Sequence, residues 1–450
     1  MKTIVKKADQ FISPIKVYNA LHNFAYCAIL DSSLRSENGR YSMVGVNPYC
    51  ILKEENGIAY ANDKPLSRPF EEELAAILRE HHEKNNTHLP LIAGGIGYFS
   101  YDYGCKFEQI SISNPPSTHI PDALFVFYDN FILFDLEKKE MYFTAKSIFE
   151  PGADSIARLE YMLKEPRILR EPATVPTGDI RFDFTKEDYL NAVTAVIEHI
   201  REGDVYIANL TQQMTIQTDL APYDLFRRIR ESNPSPFGGY FNYGDFHIVS
   251  ASPERFMKIT DSVIETKPIK GTRKRGHTPT EDQALRKELE LSEKDHSELL
   301  MIVDLERNDL NRICEPGSVK VTKHFDIETY ATVFHLVSTV TGKLRPNIAY
   351  DAILKAVFPG GSITGAPKIE AMHVINELEH SARGLYTGSI GYISFDGNCD
   401  WNIVIRTAVH QNGTYHIGIG GGITCESDPT EEYKESLQKA KAFCDIFNRS

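Results

Sequence analysis

The 450-residue sequence lacks several features that mark secreted and membrane proteins. No apolar run approaches the roughly 20 residues that cross a bilayer, and residues 1–11 (MKTIVKKADQF) have no apolar core before a small-residue cleavage site. The seven cysteines form no C-x-x-C pair, and their odd number favours reduced thiols. We therefore expect a cytoplasmic protein without a membrane span. No cysteine stands in a Gly-x-Cys-x-Gly elbow, so no thiol able to hydrolyse glutamine is evident.

Positive charge is also scarce, with 49 Lys and Arg against 62 Asp and Glu, a net charge of -13. This balance argues against a nucleic-acid surface, which needs clustered cations. An acidic chain binds an anionic metabolite only through a local cationic site or a metal ion. The hydrophobic content of 42% and charged content of 25% are typical of a globular protein with a large core.

The pattern of hydrophobic residues divides the chain into two regions, 1–165 and 183–450. The first region reads as strands and turns with one helix near 70–81, and a Pro-rich charged segment at 164–184 marks the boundary. In the second region strands and helices alternate. Helices are predicted over 185–202, 281–308, 348–357 and 428–447, and strands over 205–216, 246–250, 333–341, 388–395 and 403–410.

Carboxylates on two of these helices are candidate ligands. Glu298 shares a helical face with Leu291 and Ile302, where a carboxylate is costly unless a cation or other partner satisfies it. Glu432 and Glu435 share a face of the last helix with Lys439. A solvated charged face and a Mg2+ site both remain open, since Mg2+ binds one or two carboxylates plus substrate oxygens.

Other candidates are single polar residues and glycine-rich segments. The segments 359–368 and 418–423, the latter with Gly420 and Gly422, could bind an anion through bare backbone amides or form tight turns. Neither fits the P-loop or dinucleotide spacing. Arg406 in an apolar strand favours a carboxylate partner. His335 lies within a predicted strand and is either a catalytic residue or a histidine of the core. Glu254 follows a strand and is either a general acid or a residue that caps a turn.

Lys270 is the most informative residue of the chain. It lies in the segment 266–272 (TKPIKGT), between a strand-like run and a turn. A lysine held there as a free amine can act as a nucleophile.

Several motifs, in order along nearly the whole chain, resemble those of the chorismate-utilising enzymes, the family of anthranilate synthase component I and aminodeoxychorismate synthase component I. They are 39–45 (GRYSMVG), 94–102 (GGIGYFSYD), 252–256 (SPERF), 304–310 (DLERNDL), 361–368 (GSITGAPK) and 428–435 (DPTEEYKE). The resemblance implies an α/β fold in which two large antiparallel sheets pack face to face with helices outside. It also implies an active site between the sheets.

The resemblance assigns roles residue by residue. Glu254 resembles the general acid that protonates the departing 4-hydroxyl of chorismate, and His335 and Thr364 resemble residues that line the ring. Tyr392 and Arg406 resemble the pair that grips the enolpyruvyl carboxylate. The expected ligands of Mg2+ are Glu298, Glu435 and Glu432, and the metal would bind the ring carboxylate. The residues that resemble the groups around that carboxylate are Lys439, Gly420 and Gly422.

Within the family, Lys270 distinguishes the reactions. Members that make anthranilate resemble this chain but carry Pro-Ile-Ala-Gly-Thr, whereas members that make 4-amino-4-deoxychorismate carry Pro-Ile-Lys-Gly-Thr, as here. The resemblance thus implies a transferase of 4-aminobenzoate and folate synthesis, with Lys270 forming a covalent adduct. The alternative is an anthranilate synthase component I of tryptophan synthesis. Ammonia is expected from a separate glutamine amidotransferase subunit.

Two segments depart from the family pattern. Ile207 stands where these enzymes commonly have Gln, and where isochorismate and salicylate synthases have a water-activating Lys. Since Ile207 cannot activate water, attack by water is disfavoured. Residues 29–32 (ILDS) replace the Leu-Leu-Glu-Ser segment with which anthranilate synthases bind tryptophan, and no inhibition is predicted from them.

Overall fold

The computed structural model describes residues 2–35, 38–164, 176–330 and 333–447. Most of the predicted boundary segment, residues 165–175, lies outside the described residues. Within the described ranges, no helix combines the length and the apolar character that a bilayer crossing requires.

The strands pair antiparallel and join into one hydrogen-bonded network. Those of the first region are β1 (Ile4–Lys7), β2 (Ala28–Asp31), β3 (Tyr41–Glu55), β4 (Ile58–Ala61), β5 (Lys64–Pro65), β6 (Gly94–Phe99), β7 (Ala123–Asp135) and β8 (Glu140–Ala145). The long β3–β7 pair forms its centre. The predicted strand-rich character of this region is confirmed.

The second region contributes the remaining strands. They are β9 (Asp179–Phe182), β10 (Ile207–Gln217), β11 (Phe237–Asn242), β12 (Phe246–Ser252), β13 (Arg255–Thr260), β14 (Val263–Thr266), β15 (Ile269–Lys274), β16 (Lys320–Thr329), β17 (Val333–Lys343), β18 (Gly365–Ala366), β19 (Ser389–Ser394), β20 (Cys399–Asn402), β21 (Thr407–Gln411) and β22 (Thr414–Ile423). The two regions share strand pairs, because β2 pairs with β11 and β6 pairs with β19.

Eleven α-helices are present among the described residues. They are α1 (Pro14–Leu21), α2 (Phe70–Glu80), α3 (Tyr101–Phe107), α4 (Gly152–Leu163), α5 (Lys186–Glu202), α6 (Pro222–Ser232), α7 (Pro279–Glu290), α8 (Glu293–Asn311), α9 (Tyr350–Val357), α10 (Lys368–Leu378) and α11 (Pro429–Phe447). The predicted α/β class with large antiparallel sheets is confirmed, although the hydrogen bonding is continuous rather than divided between two separate sheets.

Local signals place the helices that flank the site. The hydroxyl of Thr185 accepts a hydrogen bond from the Asp188 amide at the start of α5, and Gly203 ends that helix at a φ of 92°. The carboxylate of Asp428 accepts from the amides of Thr430 and Glu431 at the start of α11. Both predicted helix starts are confirmed.

Two predicted elements differ from the structure. The helix expected over 281–308 is divided into α7 and α8, because Ser292 caps a new helix by accepting from the Asp295 amide. Leu291 lies at the break, 67% exposed, and so does not share a face with Glu298. The strand expected over 403–410 begins only at Thr407, since Arg406 has a φ of 50° that no strand accommodates.

Candidate active site

Lys270 lies in β15 at an irregularity of the sheet. It pairs with Leu336 of β17, and the register shifts between Lys270 and Thr272. Gly271 occupies the extra position with a φ of 74°, which glycine adopts without strain. The Lys270 ammonium lies 3.5 Å from the carbonyl oxygen of Ser362, a long contact that leaves the amine available.

Alternate glycines of β22 expose bare backbone next to this amine. We call Gly418, Gly420 and Gly422 the glycine floor. A β-carbon added to Gly422 would lie 3.3 Å from both Lys270 Nζ and Ile207 Cδ1. Glycine inside a strand often marks a close approach of another group to the backbone. The structure thus brings together Lys270, Gly422 and Ile207, which the sequence singled out separately.

The first turns of α11 place charged groups beside the same strand. Lys439 Nζ donates to the Gly420 carbonyl at 2.8 Å and pairs with Glu435 at 2.9 Å. A β-carbon added to Gly421 would lie 3.4 Å from Glu432 Oε2 and 3.7 Å from Glu435 Oε1. The two glutamates and the lysine therefore converge on one point of β22, as predicted from the helical spacing.

Glu298 of α8 belongs to the same group of charges. Burial raises the pKa of Glu298, the cations of Lys270 and Lys294 oppose that rise, and Glu435 adds to it. Burial also raises the pKa of Glu432, against a 2.7 Å hydrogen bond from the Ser427 hydroxyl. The pKa of Glu435 is lowered, chiefly by Lys439.

These carboxylates suit a divalent cation by their chemistry. Glu298 and Glu432 each have a pKa raised by burial and by the charge of Glu435, so a cation between them would relieve the repulsion. The three glutamates do not all have oxygens within 4.8 Å of one another. Among the described residues, a group of three with that spacing is His199, Glu202 and Asp204. The three glutamates therefore remain predicted Mg2+ ligands, and their carboxylates suit such an ion chemically.

Glu254, the candidate general acid, lies between β12 and β13. Its carbonyl accepts from the Ile403 amide at 3.0 Å, and the residue is only 8% exposed. Burial raises the pKa of Glu254, and the charges of Lys270, Lys439 and Arg406 oppose the rise. A carboxyl with a raised pKa retains its proton more readily, as a general acid requires.

Arg406 and His335 form a further part of the site. Burial lowers the pKa of Arg406, while the charge of Glu254 raises it. Within the described ranges, the guanidinium forms no hydrogen bond or ion pair with the protein, so it is free for an anion. Burial lowers the pKa of His335 to about 4, with Arg406 contributing, and its Nδ1 forms a 2.9 Å hydrogen bond with Thr272 Oγ1. The imidazole is therefore neutral at pH 7.

Thr364 is fully buried in the short turn that follows a 3-10 helix at Gly361–Ile363. Its hydroxyl donates to the Gly360 carbonyl at 2.8 Å, and its carbonyl accepts from the Asn209 amide at 2.8 Å. The residue therefore fixes the turn against β10. The preceding 3-10 helix contains Ser362, whose carbonyl faces Lys270.

Tyr392 is not brought together with Arg406. It lines a second cavity of about 480 Å³ with Arg255 and Asp400. The pKa of Tyr392 is raised by burial and by Asp400, and Arg255 opposes the rise. Successive strand residues face opposite sides, and in β19 the neighbouring Ile393 packs into a different part of the core. The Tyr392 side chain therefore faces this cavity, and its role in binding the enolpyruvyl carboxylate stays a prediction.

Two residues near the site escaped the sequence reasoning. The ring of Tyr386 lies against the glycine floor, so close that a β-carbon on Gly418 would come within 2.1 Å of it. The alternate glycines of β22 were a signal for such a ring. Asp295 lies one turn before Glu298 in α8 and raises the pKa of Glu298. Arg273 Nη2 donates to the Asp295 carboxylate at 3.1 Å. Its spacing to Glu298 was also visible in the sequence.

Comparison with known proteins places this geometry in a family. The model of the chorismate binding enzyme family matches residues 30–445. Anthranilate synthase component 1 of Pseudomonas putida is 36% identical over 459 residues, covering 96% of this chain and 92% of that protein. Aminodeoxychorismate synthase component 1 of Bacillus subtilis (strain 168) is 37% identical over 425 residues, covering 90% and 89%.

Solved structures agree with this placement. Anthranilate synthase component I from Streptococcus pneumoniae TIGR4 superimposes with a TM-score of 0.83 at 31% identity, covering 98% of this chain and 99% of that one. MenF, the menaquinone-specific isochorismate synthase from Escherichia coli, shares the fold with a TM-score of 0.75 at 16% identity, covering 99% and 94%.

The chain belongs to the chorismate binding enzyme family, and it is a chorismate-utilising enzyme. The relatives named for anthranilate and for aminodeoxychorismate synthesis match at nearly equal identity, 36% and 37%. Overall similarity therefore does not choose between the two reactions, and the choice depends on individual site residues.

Proposed function

We propose that this chain is the chorismate-converting component of an aminodeoxychorismate synthase. It would convert chorismate and ammonia to 4-amino-4-deoxychorismate, for 4-aminobenzoate and folate synthesis. One observation carries the proposal: Lys270 presents a weakly engaged amine directly at the bare backbone of Gly422. In an anthranilate-forming site, alanine would leave this place without a nucleophile.

In the proposed first step, the Lys270 amine attacks C2 of the chorismate ring. The ring double bonds shift, the C4–O bond breaks, and the hydroxyl leaves as water with a proton from Glu254. As the C–N bond forms, the amine nitrogen gives one proton to the Glu254 carboxylate, which has just lost its own. Ammonia then adds at C4, the double bonds shift back, and the C2–N bond breaks as the Lys270 nitrogen takes the proton that the added ammonia loses.

The charges around the amine support this sequence. Glu254 has a pKa raised by burial and feels the charge of Lys270, so acid and nucleophile act on neighbouring parts of one ligand. Ile207 provides an apolar side chain on the same glycine, at 3.3 Å from its added β-carbon. An apolar neighbour offers an attacking water no hydrogen bond, which favours the amine over hydrolysis.

The substrate carries two carboxylates, and the site offers two cationic regions. Arg406 supplies a guanidinium free of protein acceptors in the described part of the chain, next to the neutral His335. A planar guanidinium can donate two parallel hydrogen bonds to a carboxylate, which favours this region for the enolpyruvyl carboxylate. Lys439 lies at the other region, at Gly420.

Mg2+ fits the second region. Glu298, Glu432 and Glu435 would hold it, and the bound ion would supply positive charge for the ring carboxylate of chorismate. Ammonia would come from a glutamine amidotransferase subunit, a proposal supported by the absence of a thiol elbow in the sequence.

The product distinguishes the proposal from its nearest rival. Purified protein is incubated with chorismate, an ammonium salt and Mg2+, and products are separated and identified by mass spectrometry. The proposal requires 4-amino-4-deoxychorismate without release of pyruvate. Anthranilate together with equimolar pyruvate would instead make the chain an anthranilate synthase component I.

A further inference from the structure

Arg383 and Glu379 form an ion pair beneath the site, with side chains only 2% and 4% exposed. Arg383 Nη2 lies 2.6 Å from Glu379 Oε1, and Nε lies 2.9 Å from Oε2, a two-point contact. A buried pair is costly unless further hydrogen bonds satisfy both partners. The remaining contacts of each partner therefore show what the pair does.

The guanidinium holds two separate backbone segments. Its Nη1 donates to the carbonyl of Ile363 at 2.8 Å, and its Nη2 donates to the carbonyl of Asn209. Ile363 directly precedes Thr364 in the turn near Lys270, and Asn209 lies in β10 opposite Gly422. Arg383 thus joins the turn to the strand next to the glycine floor.

The Glu379 carboxylate binds a third backbone position beside the glycine floor. Glu379 Oε1 accepts from both the amide and the hydroxyl of Thr211, at 2.9 and 2.8 Å. Thr211 is the β10 residue opposite Gly420, and its Cγ2 would lie 2.7 Å from a β-carbon on that glycine. Three residues after Arg383, Tyr386 lies on Gly418. Each part of the glycine floor is therefore in contact with a segment that the pair anchors.

We propose that Arg383 and Glu379 are positioning residues that set the distance between the glycine floor and the turn bearing Thr364, and so the space that chorismate occupies. Neither side chain needs to touch the ligand. The inference deepens the proposed function, since it rests on chorismate binding at this site, but it does not depend on which product is formed.

Arg383→Lys is the first test. Lysine keeps the positive charge but cannot bind Glu379 at two points while also reaching two carbonyls. A displacement of the turn or of β10 by about 1 Å costs up to about a hundredfold in rate. We expect kcat/KM for chorismate consumption to fall at least about tenfold, with a raised KM, in protein that remains folded.

Glu379→Gln is the second test and covers the case in which the lysine variant does not fold. Glutamine keeps the size of the side chain and one acceptor for Thr211, while both guanidinium contacts to carbonyls remain. We therefore expect a smaller kinetic loss than in Arg383→Lys and, where that variant does not fold, a fall in kcat/KM that exceeds the fall in Glu83→Gln by about threefold or more. A larger loss in Glu379→Gln would show that charge balance, rather than attachment of the two carbonyls, governs the site, and would overturn the proposal.

Glu83→Gln provides a matched control. Glu83 accepts from the amide and hydroxyl of Thr3, each at 2.7 Å, and pairs with Lys146 at 2.6 Å, with side chains 12% and 7% exposed. It repeats the contacts of Glu379 away from the site. Chorismate consumption and melting temperature are measured in all three variants. Equal thermal losses with unchanged kcat and KM in Arg383→Lys would reduce the pair to a structural role; similar kinetic losses in Glu83→Gln would do the same.

This experiment separates the two proposals. Chorismate consumption reports the positioning role whatever is made, and the product reports the reaction. An unexpected product with the expected kinetic pattern would leave the positioning role intact.

Discussion

The Lys270 amine lies over the bare backbone of Gly422, where any β-carbon would approach Nζ to 3.3 Å. The contact joins β15 to β22 across the site. It also explains why the glycine is needed, since a methyl group there would press on both Lys270 and Ile207. The chemistry proposed for Lys270 thus depends on a residue with no side chain.

Gly422→Ala should impair the reaction without unfolding the protein. The added methyl displaces the amine by a few tenths of an ångström, and we expect kcat to fall about tenfold or more because attack is sensitive to such shifts. Gly57→Ala, in the turn between β3 and β4, is the control, since its φ of 74° costs stability but its methyl meets nothing within 4 Å. Steady-state kinetics and melting temperatures check both. Equal kinetics in the two variants would show that the Gly422 contact has no catalytic consequence.

Gly418→Ala should act through Tyr386. The methyl would overlap the ring at 2.1 Å, so the ring must move and KM for chorismate should rise. In a Tyr386→Ala background the same methyl meets no ring. A double-mutant cycle then measures their coupling, and additive effects on KM would mean that the Gly418 methyl does not act through the Tyr386 ring.

Mg2+ binding should depend on the inner glutamates and not on the charge of α11 in general. We expect Glu298→Gln and Glu435→Gln to weaken binding at least about tenfold, because each removes an anionic ligand. Glu431→Gln changes an exposed residue of the same helix that pairs with Lys434, and its affinity should match the native protein. Isothermal titration with Mg2+ measures all three. Undiminished affinity in the first two would place the metal elsewhere.

Glu306 should make stability depend on pH. Its Oε2 is buried without a hydrogen-bond partner among the described residues, and burial raises the pKa of Glu306 to about 8, with Glu254 and Asp309 adding to the rise. The unfolded chain releases this proton near pH 4.3. Between these values the folded state holds a proton that the unfolded state has lost, so the free energy of unfolding decreases as pH rises.

Glu306→Gln removes this dependence. Between pH 5 and pH 8 the free energy of unfolding of the native protein should fall by on the order of a few kcal/mol more than that of the variant. Urea unfolding at both values measures the difference, in which the contributions of other groups cancel. Parallel changes in the two proteins would show that Glu306 ionises normally.

The sequence predicted the site best where spacing alone decides position. Glu432, Glu435 and Lys439 meet because a helix brings residues three and four apart together. The ends of α5 and α11 followed from local capping by Thr185 and Asp428. In these cases the interactions are local, so a linear pattern contains them.

Other features depend on contacts that a linear pattern does not contain. The positive φ of Arg406 ends the strand predicted there, and Ser292 starts a new helix where one long helix was expected. Tyr392 and its neighbour Ile393 face different parts of the core, and Tyr392 lines the cavity with Arg255 and Asp400. The joining of Arg383 to Ile363 and Asn209 spans 20 and 174 residues of sequence. Such contacts become visible only in the fold.

Covalent attack by Lys270 on chorismate is tested most directly by intact-mass spectrometry of the protein with chorismate and Mg2+ in the absence of ammonia. We predict an added mass equal to chorismate less one water, mapped by peptide sequencing to Lys270 and absent from Lys270→Ala. Ammonium should then discharge the adduct to 4-amino-4-deoxychorismate. An adduct of the same mass in Lys270→Ala, or no adduct in a native protein that turns over, would contradict the account.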